Sequence, residues 1–273
     1  MGLFDGKTGI IMGVANERSI ATGIAEFLSK EGAELAFSFL PDEHGRSEMR
    51  VQKAIGHLKP KVLRGCNVNN DQEIQDFFTE TAKVFPKIDF LVHSIAFAAL
   101  DEIRKPTVEV SRQGFLTAME ASVYSFIATS RAAAPLMSQG GSILTISYLG
   151  GEKVVIGYNL MGLAKAALER SVQYLAYDLG GHGIRVNALS AGPIKTLAAS
   201  AVGDLNTTLQ MNAAIAPLKR NVSSLDIAKS AAYLLSDLSS GTTGEILHVD
   251  CGFSIMGAPT TDLLTSFKEK NHS

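Results

Sequence analysis

The order of apolar runs limits what this chain can fold into. Short, near-continuous apolar stretches alternate with longer stretches of helical spacing throughout. Residues 7–13 form a short apolar run closed by glycine, a buried strand by length and punctuation. Residues 20–30 carry Ile20, Ile24, Phe27 and Leu28 at helical spacing and stop at Gly32. The alternation predicts further strands at 33–39, 61–66, 88–93, 142–147, 183–190 and 246–249. It predicts helices over 45–58, 71–85, 110–137, 158–179, 197–214 and 225–235. Strands that are apolar throughout and separated by helices make a parallel sheet covered on both faces.

No linker, repeat or low-complexity segment interrupts the pattern, so one domain is expected over residues 1–273. The expected architecture is α/β, a single-domain Rossmann-like doubly wound parallel sheet with about seven strands. A hydrophobic content of 46% against 19% charged residues suits one large core. The net charge of -2 supplies no field that favours nucleic acid or an anionic membrane, so neither is expected as a partner. Cys66 and Cys251 are the only cysteines, too few for a disulfide framework. The six histidines are scattered without an HExxH pattern, so no metal site is expected. The N-terminus lacks the charged region and apolar core of a signal peptide. No apolar run approaches the roughly 20 residues of a membrane span. A soluble, cytoplasmic protein is expected.

Chemistry concentrates in the stretch from Ser147 to Lys165, SYLGGEKVVIGYNLMGLAK. It leaves a strand, turns through Gly150 and Gly151, and enters a helix of small residues. Tyr158 and Lys165 stand seven residues apart, close to two helical turns, so a helix covering both would place them on one face. An ammonium beside a phenol favours the charged phenol and can grip a hydroxyl-bearing ligand. An ordinary surface pair would show the same spacing.

The first βα turn reads Gly13-Val14-Ala15-Asn16-Glu17-Arg18-Ser19-Ile20-Ala21. A glycine there lets the backbone turn beneath a pyrophosphate, and free N–H groups at the helix start bind the anion. The usual GxGxxG spacing is absent. The second strand ends Phe39-Leu40-Pro41-Asp42, with no acid at its last position and no arginine beside it. Asp42 is placed to reach a ribose hydroxyl or to serve as a turn residue. NADH is expected over NADPH. Asn67 and Val68, after the third strand, are placed to meet adenine. His93 closes the fourth strand and reads as a packed residue, not a catalyst.

These motifs resemble the enoyl-acyl-carrier-protein reductases of bacterial type II fatty acid synthesis, a divergent branch of the short-chain dehydrogenase/reductases. The match runs from LFDGKTGIIMGVANERSIA to HVDCGFS, with HSIAFA at 93–98, YNLMGLAKAALE at 158–169 and RVNALSAGPIKTLAAS at 185–200. Ordinary short-chain dehydrogenases use Tyr-x3-Lys; here Met161 holds that place and the spacing is the Tyr-x6-Lys of the enoyl reductases. The resemblance implies NADH-dependent reduction of the C2=C3 bond of trans-2-enoyl-acyl-carrier-protein thioesters. It implies Tyr158 on the thioester carbonyl, Lys165 on the nicotinamide ribose, and Tyr148 in the same pocket. For the cofactor, NADH/NAD, it implies Gly13, Ser19, Ile20, Leu40, Asn67, Val68, Ile95, Ile194 and Thr196. Ala96 and Ala98 fall to the substrate side, a flap is implied near 196–214, and a homotetramer is implied as the assembly.

The chain departs from the family at four places. Asn67 stands where many relatives have Asp, and Ala96 replaces a glycine of the nicotinamide pocket. Leu40 replaces a polar residue near the adenosine. Cys251 replaces a glycine, a costly change if that position has positive φ. The rival readings are a ketoacyl-type reductase, against which Met161 argues, and a cofactor-binding sensor, against which the paired Tyr158 and Lys165 argue. Carrier proteins are acidic, so docking cations are expected beside the flap: Lys195 before it and, foremost, the adjacent Lys219 and Arg220 after it, which follow Pro217 in a turn or extended segment that could present both outward.

Overall fold

The computed structural model describes residues 2–196 and 205–258. Among them lies one sheet of seven strands in the order β3-β2-β1-β4-β5-β6-β7, every pairing parallel. The strands are β1 (Thr8–Met12), β2 (Glu34–Phe39), β3 (Val62–Gly65), β4 (Phe90–His93), β5 (Gly141–Ser147), β6 (Ile184–Ala191) and β7 (Ile246–Val249). Reversal of the order beside β1 is the point at which such sheets open a crevice at their carboxyl ends. The doubly wound fold expected from the alternation is the fold observed.

Strand periodicity divides the interior into two cores. In β1, Ile10 and Met12 face one core and Ile11 the other. β6 repeats the division, with Ile184, Val186 and Ala188 on the first face and Leu189 and Ala191 on the second. Such alternation follows from successive side chains pointing to opposite faces. The first core is closed by α3 (Asp71–Val84), α5 (Arg112–Met119), α6 (Ser125–Ala133) and α7 (Asn159–Gly180). The second is closed by α1 (Ile20–Lys30), α2 (Arg46–Ile55) and α9 (Ser224–Leu235). The short α4 (Leu100–Arg104) and α8 (Leu205–Ile215) stand at the sheet's carboxyl edge.

Helix starts are written in local chemistry. Asn70 caps α3, its side-chain oxygen accepting from Gln72 and Glu73 backbone N–H. Ser223 and Asp226 form a reciprocal capping box at α9.

Several expectations need correction. The helix expected over 110–137 is interrupted by a π-helical turn at Glu120–Tyr124 and ends in a tight turn at Ala134–Leu136. Its extra residue turns Ser122 and Ser125 towards the end of β4: the Ser122 hydroxyl accepts from Phe97 N–H at 3.0 Å, and Ser125 Oγ lies 2.8 Å from His93 Nε2. The helix expected from Tyr158 begins one residue later, at Asn159. Residues 197–204, the first part of the expected flap, lie outside the described residues; 205–215 is helical.

Cys251 settles a question the sequence left open. Its φ is 61°, and Gly252 follows at 86°. An L-residue with a Cβ is strained there, whereas glycine is not. The turn is held by Asp250, whose carboxylate accepts from Gly252 and Ser254 N–H. Cys251→Gly should therefore stabilise the fold by about 1 kcal/mol, offset in part by the freer unfolded chain. Urea unfolding checks this, and a lower midpoint for the variant would contradict it.

Candidate active site

The ends of β1, β4, β5 and β6 converge on a cavity of about 610 Å³. Gly13 leaves β1 with φ 102°, and a Cβ there would stand 2.1 Å from the Ser94 carbonyl oxygen. Only glycine lets the two chains pass so closely. Ser19 Oγ accepts from the backbone N–H of Ala15 and Asn16, both at 3.1 Å, which closes the loop. The Ser19 carbonyl accepts from Thr22 and Gly23, at the start of α1. The N–H groups of Ile20 and Ala21, in the first turn of α1, have no intrahelical acceptor, and Ile20 lines the cavity. These groups fit a pyrophosphate, since helix N-termini attract anions.

His93 is fully buried in the sheet and does not line the cavity. Thr145 Oγ1 lies 3.2 Å from its Nδ1. Ser125 Oγ donates to the Ala121 carbonyl, so it accepts the Nε2 proton of a neutral imidazole. Burial, and then the Lys165 charge, lower the His93 pKa to about 3.

β5 delivers the reactive groups. Tyr148 packs edge-on against Tyr158, with ring centroids 4.8 Å apart and planes at 70°. Gly150 makes room for that ring: a Cβ there would meet Tyr158 Cδ1 at 2.4 Å. Tyr158 caps α7 from outside, with φ -104° and ψ 1°, the sparsely allowed region in which many active-site residues sit. Burial raises its pKa, with Tyr148 and Glu169 adding to the shift. The expectation that Lys165 would favour the charged phenol is thus overturned; desolvation wins, and the phenol remains a hydrogen-bond donor. Lys165 is buried on α7, and its Nζ donates to the Ile146 carbonyl at 2.7 Å. Burial lowers its pKa to about 8, against the opposing pull of Glu169.

Of the residues singled out from sequence, Gly13, Ser19, Ile20, Ile95, Ala96, Ala98, Tyr148, Tyr158, Lys165, Ile194 and Thr196 share this cavity. Leu40, Asn67 and Val68 do not line it; they follow β2 and β3 farther along the same edge. Leu40 is exposed. Asn67 Oδ1 accepts from Asn69 N–H, which occupies part of the amide expected to read adenine. Asp42 is not a free ribose ligand: its carboxylate accepts from His44, Arg46 and Ser47 N–H and caps α2. Sequence reasoning missed the apolar wall of Phe97, Leu100, Ile103, Val155 and Ile156. Leu100 and Ile103 lie on α4, whose five residues are too few to show a helical period.

The cavity pairs an anion-binding turn with a phenol and a buried ammonium, and comparison with known proteins agrees. A family model described as enoyl-(acyl carrier protein) reductase matches residues 13–254. The chain belongs to the enoyl-acyl-carrier-protein reductase family. A curated relative from Nostoc sp., named an NADH enoyl-acyl-carrier-protein reductase, is 48% identical over 92% of this chain and 98% of its own. One from Rhizobium meliloti, also named an NADH enzyme, is 50% identical over 96% of this chain and 95% of its own. The crystal structure of the Anaplasma phagocytophilum reductase with NAD superposes with a TM-score of 0.91 at 45% identity, covering 95% of this chain and 98% of that one. The Bacillus cereus reductase, solved with NADP+ and an indole naphthyridinone, gives 0.91 at 46% identity, covering 94% and 100%.

The buried neutral His93 makes stability depend on pH. Its folded pKa of about 3 lies below the unfolded value near 6.5. Its contribution is therefore full above the unfolded value and is lost as pH falls towards the folded one. The urea midpoint should decline between about pH 7 and pH 5, and His93→Gln should flatten that decline. An equal slope in both proteins would remove His93 as its source.

Proposed function

We propose that the protein reduces the C2=C3 double bond of trans-2-enoyl-acyl-carrier-protein thioesters with NADH, in fatty acid elongation. The observation that carries this reading is the cavity wall at α7. Four residues before Lys165, where a carbonyl reductase needs its phenol, the wall presents the Met161 thioether. The phenols in the cavity are Tyr148 and Tyr158.

NADH, when bound, supplies the hydride. Gly13, Ser19 and Ile20 would hold its pyrophosphate, and Lys165 its nicotinamide ribose. Ile95, Ile194 and Thr196 would border the nicotinamide half. Leu40, Asn67 and Val68 would meet the adenosine end. Tyr158 donates a hydrogen bond to the thioester carbonyl and stabilises the enolate as C3 is reduced. A neutral phenol suits that task, because it gains an anionic acceptor only as the reaction proceeds. Tyr148 packs against Tyr158 and limits the positions of its ring. Ala96, Ala98 and the apolar wall would accept the acyl chain.

Crotonyl thioester should consume NADH absorbance, and acetoacetyl thioester should not. Tyr158→Phe should lower kcat about a hundredfold or more and leave NADH affinity near wild type. Full activity in that variant would remove Tyr158 from the mechanism.

The partner follows from the substrate: an acyl carrier protein presents the chain. Arg220 is engaged by Asp226 at 2.7 Å, and Lys219 Nζ donates to the Ala214 carbonyl at the end of α8. Lys195 is exposed and, with Arg18, borders a second cavity of about 410 Å³ beside Ile194. Lys195 is thus the stronger docking cation. Lys195→Glu should raise KM for enoyl-carrier-protein severalfold and leave KM for a short enoyl-coenzyme A little changed. Equal effects on both would assign Lys195 to the cofactor instead. Exposed Tyr174 and Tyr177 on α7 and Leu116 on α5 suit packing between copies in a homotetramer. Free Cys66 and Cys251 fit a cytoplasmic setting.

A further inference from the structure

Glu169 is a buried carboxylate that the reaction above does not use. It lies one helical turn beyond Lys165 on α7, is 8% exposed, and does not line the cavity. The Ser147 hydroxyl donates to its Oε1. A Cβ at Gly151 would stand 2.6 Å from that same oxygen, so the turn after β5 closes tightly over the carboxylate. The last two residues of β5 and the one that follows it therefore meet this helix or its cavity. Ile146 offers its carbonyl to Lys165, Ser147 its hydroxyl to Glu169, and Tyr148 its ring to Tyr158.

We propose that Glu169 is the positioning residue of this site, holding Lys165 as a cation and locking the end of β5 that carries Tyr148. The proposal rests on the reading of Lys165 as the ribose-holding cation. A helical spacing of four places the two residues on one face of α7, where their head groups reach the adjacent residues Ile146 and Ser147 without a direct ion pair between them. The opposite charge offsets part of what burial costs the ammonium.

The surrounding groups are few. Lys165 and Tyr158 face Glu169 along α7 and its cap, Glu152 comes from the turn after β5, and His248 from β7. His248 Nε2 stands 2.9 Å from Glu152 Oε1, near enough for an ion pair, without forming a hydrogen bond. Buried, neutral His93 also feels the Lys165 charge. Burial pushes the Glu169 carboxyl up, the Ser147 hydrogen bond opposes that, Glu152 adds to it, and His248 and Lys165 oppose it. Among these groups, Glu169 is the one that raises the Lys165 pKa against its burial.

The test is the pH dependence of NADH binding, measured by calorimetry on wild type, Glu169→Gln and Glu169→Asp from about pH 6 to pH 10. Wild-type affinity should weaken as pH rises through the Lys165 pKa, about 8 before the cofactor binds. In Glu169→Gln the same weakening should begin about one unit lower, giving about fivefold weaker binding near pH 8 and near parity near pH 6. Glu169→Asp keeps the charge one methylene farther away, so its curve should fall between the two. A loss of equal size at every pH, or an unshifted curve, would overturn the proposal, since lost packing alone acts uniformly. If the Gln variant does not fold, an unshifted Asp curve overturns it and a shifted one upholds it. A wild type that binds NADH with this profile and reduces no enoyl thioester would overturn the reaction and leave the role of Glu169 standing.

Discussion

A sheet buried on both faces forces this protein to put its chemistry at strand ends. Along the strands several buried polar groups find partners inside the fold. Asn187 is fully buried and gives its amide to the Thr242 carbonyl while accepting from Glu245 N–H. Ser142 donates to the Leu234 carbonyl, and His93 is enclosed by Thr145 and Ser125. Each satisfies hydrogen-bonding capacity that would otherwise be costly in the core. At the carboxyl edge the apolar cover ends, and backbone groups of Gly13, Ser94 and Gly192 border a cavity instead. The reversal of strand order at β1 and β4 opens the edge at that place.

Desolvation acts on Tyr158 and Lys165 in opposite senses, and both shifts suit the same reaction. A buried phenol resists ionisation and stays a donor. A buried ammonium gives up its proton more readily and titrates at about 8. Charge attraction within a tight Tyr–Lys pair would have lowered the phenol and raised the lysine. The structure separates the pair, sending the Lys165 ammonium to the Ile146 carbonyl. In the proposed reaction the lysine would hold a ribose while the tyrosine addressed the carbonyl of a different ligand.

The sequence carried the strands more fully than the helices. β1 and α1 fall where the apolar run and the punctuation put them, because a buried parallel strand is apolar along its core-facing length. The cavity groups were legible for a related reason: Gly13 stands at the end of β1, Tyr158 at the start of α7, and Lys165 two turns farther along that helix on the same face. What the pattern concealed depends on tertiary partners. The π-helical turn at Glu120–Tyr124 keeps helical spacing on both sides and is visible only through Ser122 and Ser125 reaching β4. Asp42 looked available until its three N–H partners at α2 were seen. The adenosine end stayed an expectation, because Leu40, Asn67 and Val68 do not line the cavity that gathers the other groups.

Why the phenol stands outside the helix follows from where charge gathers. Carbonyl reduction puts hydride and developing charge on the same C=O unit, so a phenol one turn from the lysine meets both needs. Reducing a C=C conjugated to a thioester gathers charge on the carbonyl oxygen, three bonds from the carbon that takes the hydride. Within α7 the ring could move only around and along one cylinder. Placed at the cap, with φ -104° and ψ 1°, Tyr158 projects from a junction and packs against Tyr148 from the neighbouring strand end. Met161 then fills the vacated place on the wall with an adaptable, apolar thioether that offers no acid. In the proposed reaction, one shift of three residues would thus supply a donor at the thioester oxygen and withhold one from the position that serves an alcohol.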